Sequence, residues 1–93
     1  MIYEIDLQFQ NLTSAREILN DLCMNAALAA DAGLTDTYCN IYIPVSKSVT
    51  VFAEVQIVNG KTLYYVTSSK NKSATIQPIS YRAAVSKLQL LTA

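Results

Sequence analysis

The chain has 93 residues, and its seven basic and seven acidic side chains leave no formal net charge. Hydrophobic residues make up 52% of the sequence and charged residues 15%, which excludes a disordered chain and predicts one globular domain over residues 1–93. Histidine is absent and there are only two glycines, so the composition excludes imidazole catalysis, histidine-ligated metals and glycine-rich phosphate loops.

The sequence begins with a strict alternation of apolar and polar side chains, which predicts a half-buried strand over residues 2–10. The apolar side of this strand consists of Tyr3, Ile5, Leu7 and Phe9. The segment has neither the basic start nor the apolar run of a signal peptide, and no stretch of the sequence is apolar enough to span a membrane. We therefore expect a cytoplasmic protein that begins at Met1.

A helix is predicted over residues 14–32. Ser14 and Glu17 have the spacing of a capping box, and Gly33 can end the helix in a left-handed conformation. The predicted buried stripe contains Ile18, Leu19, Leu22, Cys23, Ala26 and Ala30. Alanine dominates the C-terminal part of this helix, which favours close packing against a sheet or against a second copy of the helix.

Three strands in a meander are predicted next. Alternation over residues 37–45 and from Val49 onward gives two strands, and residues 44–48 between them form a five-residue connection or contain a bulge. Asn59 and Gly60 are the strongest short hairpin signal, a type I′ turn that leads into the third strand. The resulting register pairs Val58 with Lys61, Val55 with Tyr64, Ala53 with Val66, Gln56 with Leu63, Glu54 with Tyr65, and Phe52 with Thr67.

The sequence ends in a polar loop over residues 68–73, a short edge strand or extended lead-in over residues 74–79, and a helix capped by Ser80. The predicted buried stripe of this helix consists of Tyr81, Ala84, Val85, Leu88 and Leu91. The element order is therefore β-α-β-β-β-α. It predicts an α+β fold, a two-layer sandwich with an antiparallel three- to four-stranded sheet and both helices on one face.

The sheet face turned away from the helices is predicted to be rich in large apolar side chains. These are Tyr38, Tyr42, Phe52, Leu63 and Tyr65. Exposed apolar patches mark interfaces, and tyrosine is enriched there, so we expect this face to bind a protein, most simply a second copy of the chain in a homodimer. Two alternatives stay open: strand propensity alone explains the aromatic residues, or residues 74–79 fold back over them.

Charge is distributed unevenly along the chain. Residues 1–36 contain six acids and one arginine, a net charge of −5, and residues 37–93 contain six basic side chains and one acid, a net charge of +5. Such asymmetry can orient association, unless internal pairs neutralise it. The side chains that could contact an anionic partner are Lys61, Lys70, Lys72, Arg82 and Lys87.

In element order, residues 14–92 resemble the double-stranded RNA-binding domain, which also consists of a helix, a three-stranded meander and a second helix. The resemblance is topological. That family carries a basic cluster at the start of its last helix, whereas this sequence has the single Arg82 there and a long preceding loop with Pro78. It implies nucleic-acid binding as an alternative to protein binding.

The sequence contains few side chains with a spacing that could support catalysis. Glu4 and Asp6 lie two apart on the polar side of a predicted strand, where carboxylates are solvated. Serine–lysine pairs occur in polar loops, where the lysine is hydrated and charged. Cys39 lacks a histidine to activate it, and both Cys23 and Cys39 are expected to be reduced core residues. We predict no enzymatic activity, no cofactor and no metal.

A short chain without catalytic side chains has the format of many accessory and inhibitory proteins of phages and mobile elements, anti-CRISPR-type inhibitors of host defence among them. We expect a small protein that acts by binding another protein, with an inhibitor of this kind as the leading hypothesis. One alternative is a nucleic-acid-binding accessory protein, whose binding weakens steeply with salt. The other is a structural self-assembly subunit, which forms large oligomers.

Overall fold

The computed structural model describes residues 2–7, 14–33, 36–71 and 76–92, the first of these segments by its backbone alone. Its elements are β1 (Ile2–Leu7), α1 (Ala15–Asp31), β2 (Asp36–Pro44), β3 (Thr50–Val58), β4 (Lys61–Ser68), a single 3-10 turn (Ser69–Asn71) and α2 (Tyr81–Thr92). The predicted α+β class is confirmed, with two helices around an antiparallel meander of three strands. None of the helices described here has the length and hydropathy of a membrane span.

The strands lie in the order β1-β2-β3-β4. Strand β3 is antiparallel to both β2 and β4, but β1 runs parallel to β2, with Ile2 beside Asp36 and Leu7 beside Ile41. An antiparallel four-stranded sheet is therefore not what forms. Because α1 connects β1 to β2, the chain returns to the same end of the sheet before β2 begins, and neighbouring strands joined in this way are parallel. The predicted alternation of side chains over residues 2–10 lies outside what the structure describes.

The β3–β4 hairpin has the predicted register, and all six predicted cross-strand pairs are observed. Asn59 and Gly60 have φ angles of 51° and 76°, the positive values that a type I′ turn requires at both central residues. The backbone N–H of Asn59 also donates a hydrogen bond to Oδ1 of Asp36, 3.4 Å away at the start of β2. The turn residues therefore fix which β3 and β4 side chains share a face.

The connection between β2 and β3 has the predicted length but begins one residue later, at residues 45–49. Val49, predicted to open β3, lies in this loop, where its carbonyl accepts a hydrogen bond from Val45 N at 3.0 Å. The Ser46 hydroxyl accepts a further bond from Val49 N at 3.1 Å. These local bonds replace ladder bonds at the strand end, which explains the shift.

The core lies between the sheet and the two helices. Its strand residues alternate with outward-facing ones, so all of them belong to one face, and both helices pack on that face. The largest fully buried side chains are Leu19, Leu22, Ile41, Leu88, Val51, Val55, Thr37 and Cys39. Thr37 donates a hydrogen bond from Oγ1 to the carbonyl of Ala26 at 3.1 Å, which attaches β2 to α1.

The helix boundaries follow their capping residues. Ser14 Oγ accepts a hydrogen bond from Glu17 N at 3.1 Å at the start of α1, and Gly33 follows its end with a φ of 94°. Ser80 Oγ caps α2 in the same way, accepting from Ala83 N at 3.1 Å. Ser14 and Ser80 are thus confirmed as caps, and the first helix ends before Gly33 as predicted.

The described residues just before α2 contact the outer edge of β4 through an isolated bridge. Ile79 N donates a hydrogen bond to the Tyr64 carbonyl at 2.8 Å, and the two residues form an isolated antiparallel bridge. The Ile79 side chain packs against the core. The described part of this segment, residues 76–79, therefore joins the core side of the sheet through Ile79.

Candidate functional site

The five predicted partner-binding side chains lie on the sheet surface opposite both helices, which we call the aromatic face: Tyr38, Tyr42, Phe52, Leu63 and Tyr65. Register brings them together on three adjacent strands. Tyr42 lies opposite Phe52, and Tyr38 and Leu63 both lie opposite Gln56. The neighbours of each residue along its strand alternate to the other face, where Cys39, Ile41, Ala53 and Val66 are buried in the core.

Exposure varies across the aromatic face. Tyr42 is 55% exposed, and its ring contacts that of Phe52 with a centroid distance of 5.1 Å and an interplanar angle of 48°. Tyr38, Leu63 and Tyr65 are half-buried, as is Phe52. The face is therefore less exposed than the sequence pattern alone implies, because large neighbours on adjacent strands shield one another. Its most accessible part is the Tyr42–Phe52 pair.

The middle of the aromatic face is polar. Asn40 lies between Tyr38 and Tyr42 on β2 and is only 2% exposed, and Glu54 lies opposite it on β3. Sequence reasoning did not single out Asn40. The sequence pattern nevertheless sets Asn40 apart. It lies between two tyrosines on the same strand face, where packing of apolar side chains alone would favour a third large side chain. Asn40 is therefore covered by its neighbours on the sheet and is not presented to solvent.

The described members of the predicted anionic-partner set are spread over β4, the 3-10 turn and α2. Lys61 opens β4 and Lys70 lies in the 3-10 turn after it, so the length of the strand separates them by roughly 25 Å. Arg82 and Lys87 lie on α2 and are exposed. Lys72 lies outside the described residues.

A groove between the two helices brings two arginines together. Arg16, in the first turn of α1, lines it with residues from α2, and its volume is about 380 Å³. The α2 residues are Tyr81, Arg82, Val85, Ser86 and Gln89. Arg16 is the one basic residue of the acidic first half of the chain, and sequence reasoning did not assign it a role. The groove is held in place by a hydrogen bond from Tyr81 Oη to Asn20 Oδ1 at 2.8 Å.

The two cysteines are free thiols inside or beside the core. Cys39 has no exposed surface, so its sulfur cannot reach a substrate. Cys23 is half-buried and contacts the Tyr64 hydroxyl, and burial together with Cys23 and Tyr81 raises the pKa of Tyr64 above its usual value. Among the residues that the structure describes, no three acidic or cysteine side chains lie close enough together to hold a metal ion.

Comparison of the chain with protein-family models, with curated proteins and with solved structures finds no significant match.

Proposed function

We propose that the protein acts by binding other protein chains, and that its aromatic face binds a second copy of this chain. One observation carries the proposal: five large apolar side chains share the sheet surface that neither helix covers, and one of them, Tyr42, is more than half exposed. Surfaces of this composition are typical of interfaces. On this proposal the protein has no enzymatic activity of its own.

Typical interaction free energies favour the aromatic face over the lysines as the main source of binding affinity. Truncating a centrally buried tyrosine or phenylalanine in an interface can cost about 2 kcal/mol or more. An exposed ion pair contributes about 0 to 1 kcal/mol and is screened near physiological salt. Tyr42 and Phe52 therefore outweigh isolated cations such as Lys61 and Lys70, which lie at opposite ends of β4.

Charge favours one orientation of the dimer. The acids of the first half of the chain belong to β1, α1 and the start of β2, whereas most basic residues belong to β4, the 3-10 turn and α2. Strands β1 and β4 form opposite edges of the sheet. A two-fold axis parallel to the strands lays the β1 edge of one copy over the β4 edge of the other, so the strand that contains Glu4 and Asp6 faces the strand that begins at Lys61.

The experiment is a dilution series followed by amide resonances of the labelled protein. We expect concentration-dependent shifts in β2, β3 and β4 for the wild type, and their loss in Tyr42→Ala. The matched control is Leu90→Ala, which removes an exposed leucine from α2 on the other side of the molecule. Shifts confined to the helices, or shifts that persist unchanged in Tyr42→Ala, would contradict the proposal.

A protein-binding surface on a small scaffold is sufficient for an accessory or inhibitory role, and we propose such a role of the kind found among phage and mobile-element proteins. In this role the dimer presents its two helix layers outward. The target protein contacts that outer surface, because the aromatic faces are buried against each other.

Nucleic-acid binding is the second candidate, favoured by the pairing of Arg16 and Arg82 in one groove. The planar guanidinium of arginine can donate two hydrogen bonds to one phosphate. In addition, the order of α1, the three-stranded meander and α2 resembles that of the double-stranded RNA-binding domain. Binding of this kind falls steeply as salt rises, whereas binding through the aromatic face changes little. A titration with duplex RNA at two salt concentrations separates the two functions.

A further inference from the structure

The helix α1 has apolar side chains on two opposite sides. Its buried residues face the sheet, as in any amphipathic helix. On the opposite side, Met24 and Leu28 are 60% and 61% exposed and lie one helical turn apart. Charged side chains are expected at positions that point directly into solvent, so an exposed pair there needs an explanation.

Acidic residues flank this apolar pair at both ends. Asp21 precedes Met24 by three residues and Asp31 follows Leu28 by three, so all four lie along one line of the helix. We call Asp21, Met24, Leu28 and Asp31 the outer stripe of α1. Its spacing of three, four and three residues is that of a seam between two paired helices.

A second copy of the same stripe does not fit this seam. In a parallel pair, Asp21 would face Asp21 and Asp31 would face Asp31. In an antiparallel pair centred on the apolar residues, Asp21 would face Asp31. Either arrangement sets like charges against each other at both ends of the contact, which is unfavourable.

We infer that the outer stripe of α1 binds an amphipathic helix of a partner protein whose apolar residues are flanked by lysine or arginine. Met24 and Leu28 supply the apolar contact, and methionine adapts its shape to different partner surfaces. Asp21 and Asp31 pair with the partner's cations and fix the register. The stripe lies on the helix side of the molecule and the aromatic face on the sheet side, so this inference is independent of the proposed dimer.

The test uses two synthetic amphipathic peptides of about 18 residues with leucine at seam positions, one with lysine and one with glutamate at the flanking positions. Fluorescence anisotropy measures their binding to the full chain. We expect the wild type to bind the lysine peptide in preference to the glutamate peptide. The variant Met24→Gln with Leu28→Gln should lose at least about tenfold in affinity, since both apolar contacts are removed.

Three further variants make the test specific. Leu90→Gln removes the most exposed leucine of α2 and should bind the lysine peptide like the wild type. Asp21→Lys with Asp31→Lys should reverse the preference toward the glutamate peptide. Tyr42→Ala, which should abolish dimerisation, should leave peptide binding unchanged.

All substitutions are at exposed or half-exposed positions, and circular dichroism checks that each variant folds. The inference is overturned if the wild type fails to distinguish the peptides, or if Met24→Gln with Leu28→Gln binds as tightly as the wild type. It is also overturned if Tyr42→Ala alone abolishes peptide binding, because the peptide would then occupy the aromatic face.

Discussion

At the residue scale, Thr37 joins the two layers of the fold. It is 1% exposed, and its hydroxyl donates a hydrogen bond to the carbonyl of Ala26 in α1. Thr37→Val keeps the side-chain shape but removes this bond and should lower the free energy of unfolding by about 1 kcal/mol. Urea denaturation measures the loss. Thr67→Val, on the aromatic face, is the control, and an equal loss in both variants would show that the hydrogen bond contributes nothing specific.

A second residue-scale prediction concerns Tyr64. Burial, with smaller contributions from Cys23 and Tyr81, raises the pKa of Tyr64 in the folded state. A tyrosine is neutral below its pKa, so its stabilising effect is complete below the unfolded value near 10 and is lost as pH rises above it. Tyr64→Phe should therefore flatten the decline of unfolding free energy above about pH 10. Well below pH 10, the unfolding free energies of Tyr64→Phe and the wild type should run parallel with pH, which serves as the internal control.

Some residues of the candidate surfaces could be predicted from the sequence, and others could not. The five members of the aromatic face were predictable, because strand alternation and one turn determine their side of the sheet. Arg16 and the outer stripe of α1 were not, because their significance depends on which side of α1 meets the sheet and on where α2 packs. Asn40 was visible in the sequence but its burial depends on side chains from neighbouring strands.

At the scale of the element, the β3–β4 hairpin depends on its turn. Gly60 has a φ of 76°, and a Cβ added there would meet no atom within 4 Å, so any penalty comes from the backbone conformation alone. Gly60→Ala should lower the free energy of unfolding by about 1 to 2 kcal/mol. Asn59→Gly is the control and should be close to neutral, since glycine adopts positive φ readily and retains the N–H that bonds Asp36. A neutral Gly60→Ala would contradict this view of the turn.

The same distinction holds for secondary-structure elements, whose register, direction and boundaries differ in how well the sequence predicts them. The hairpin register was predictable in full because turn chemistry sets it. The direction of β1 was not, because alternation defines the faces of a strand but not its partner or its polarity. The boundary of the loop over residues 45–49 was missed by one residue, because the bonds that Ser46 makes to the backbone are invisible to a pattern of apolar residues.

At the scale of the whole molecule, the fold places two different surfaces on opposite sides. The aromatic face lies on the sheet side, and the outer stripe of α1 and the groove of Arg16 and Arg82 lie on the helix side. Strand β1, from the acidic part of the chain, and strand β4, from the basic part, form opposite edges of one sheet. In the proposed homodimer, the two copies of the helix side would both stay exposed and could both contact a target protein.

The most direct measurement of the central claim is sedimentation velocity of the wild type at tens of micromolar. We predict a particle of twice the chain mass of 10.2 kDa. Tyr42→Ala and Tyr65→Ala should each sediment as a monomer, whereas the double variant Lys61→Ala with Lys70→Ala should remain a dimer. Raising the salt concentration from about 0.05 to about 0.3 M should change the wild-type dimer little. A wild-type monomer at this concentration, or a dimer that dissociates with the lysine variant and with salt but not with the tyrosine variants, would contradict the account.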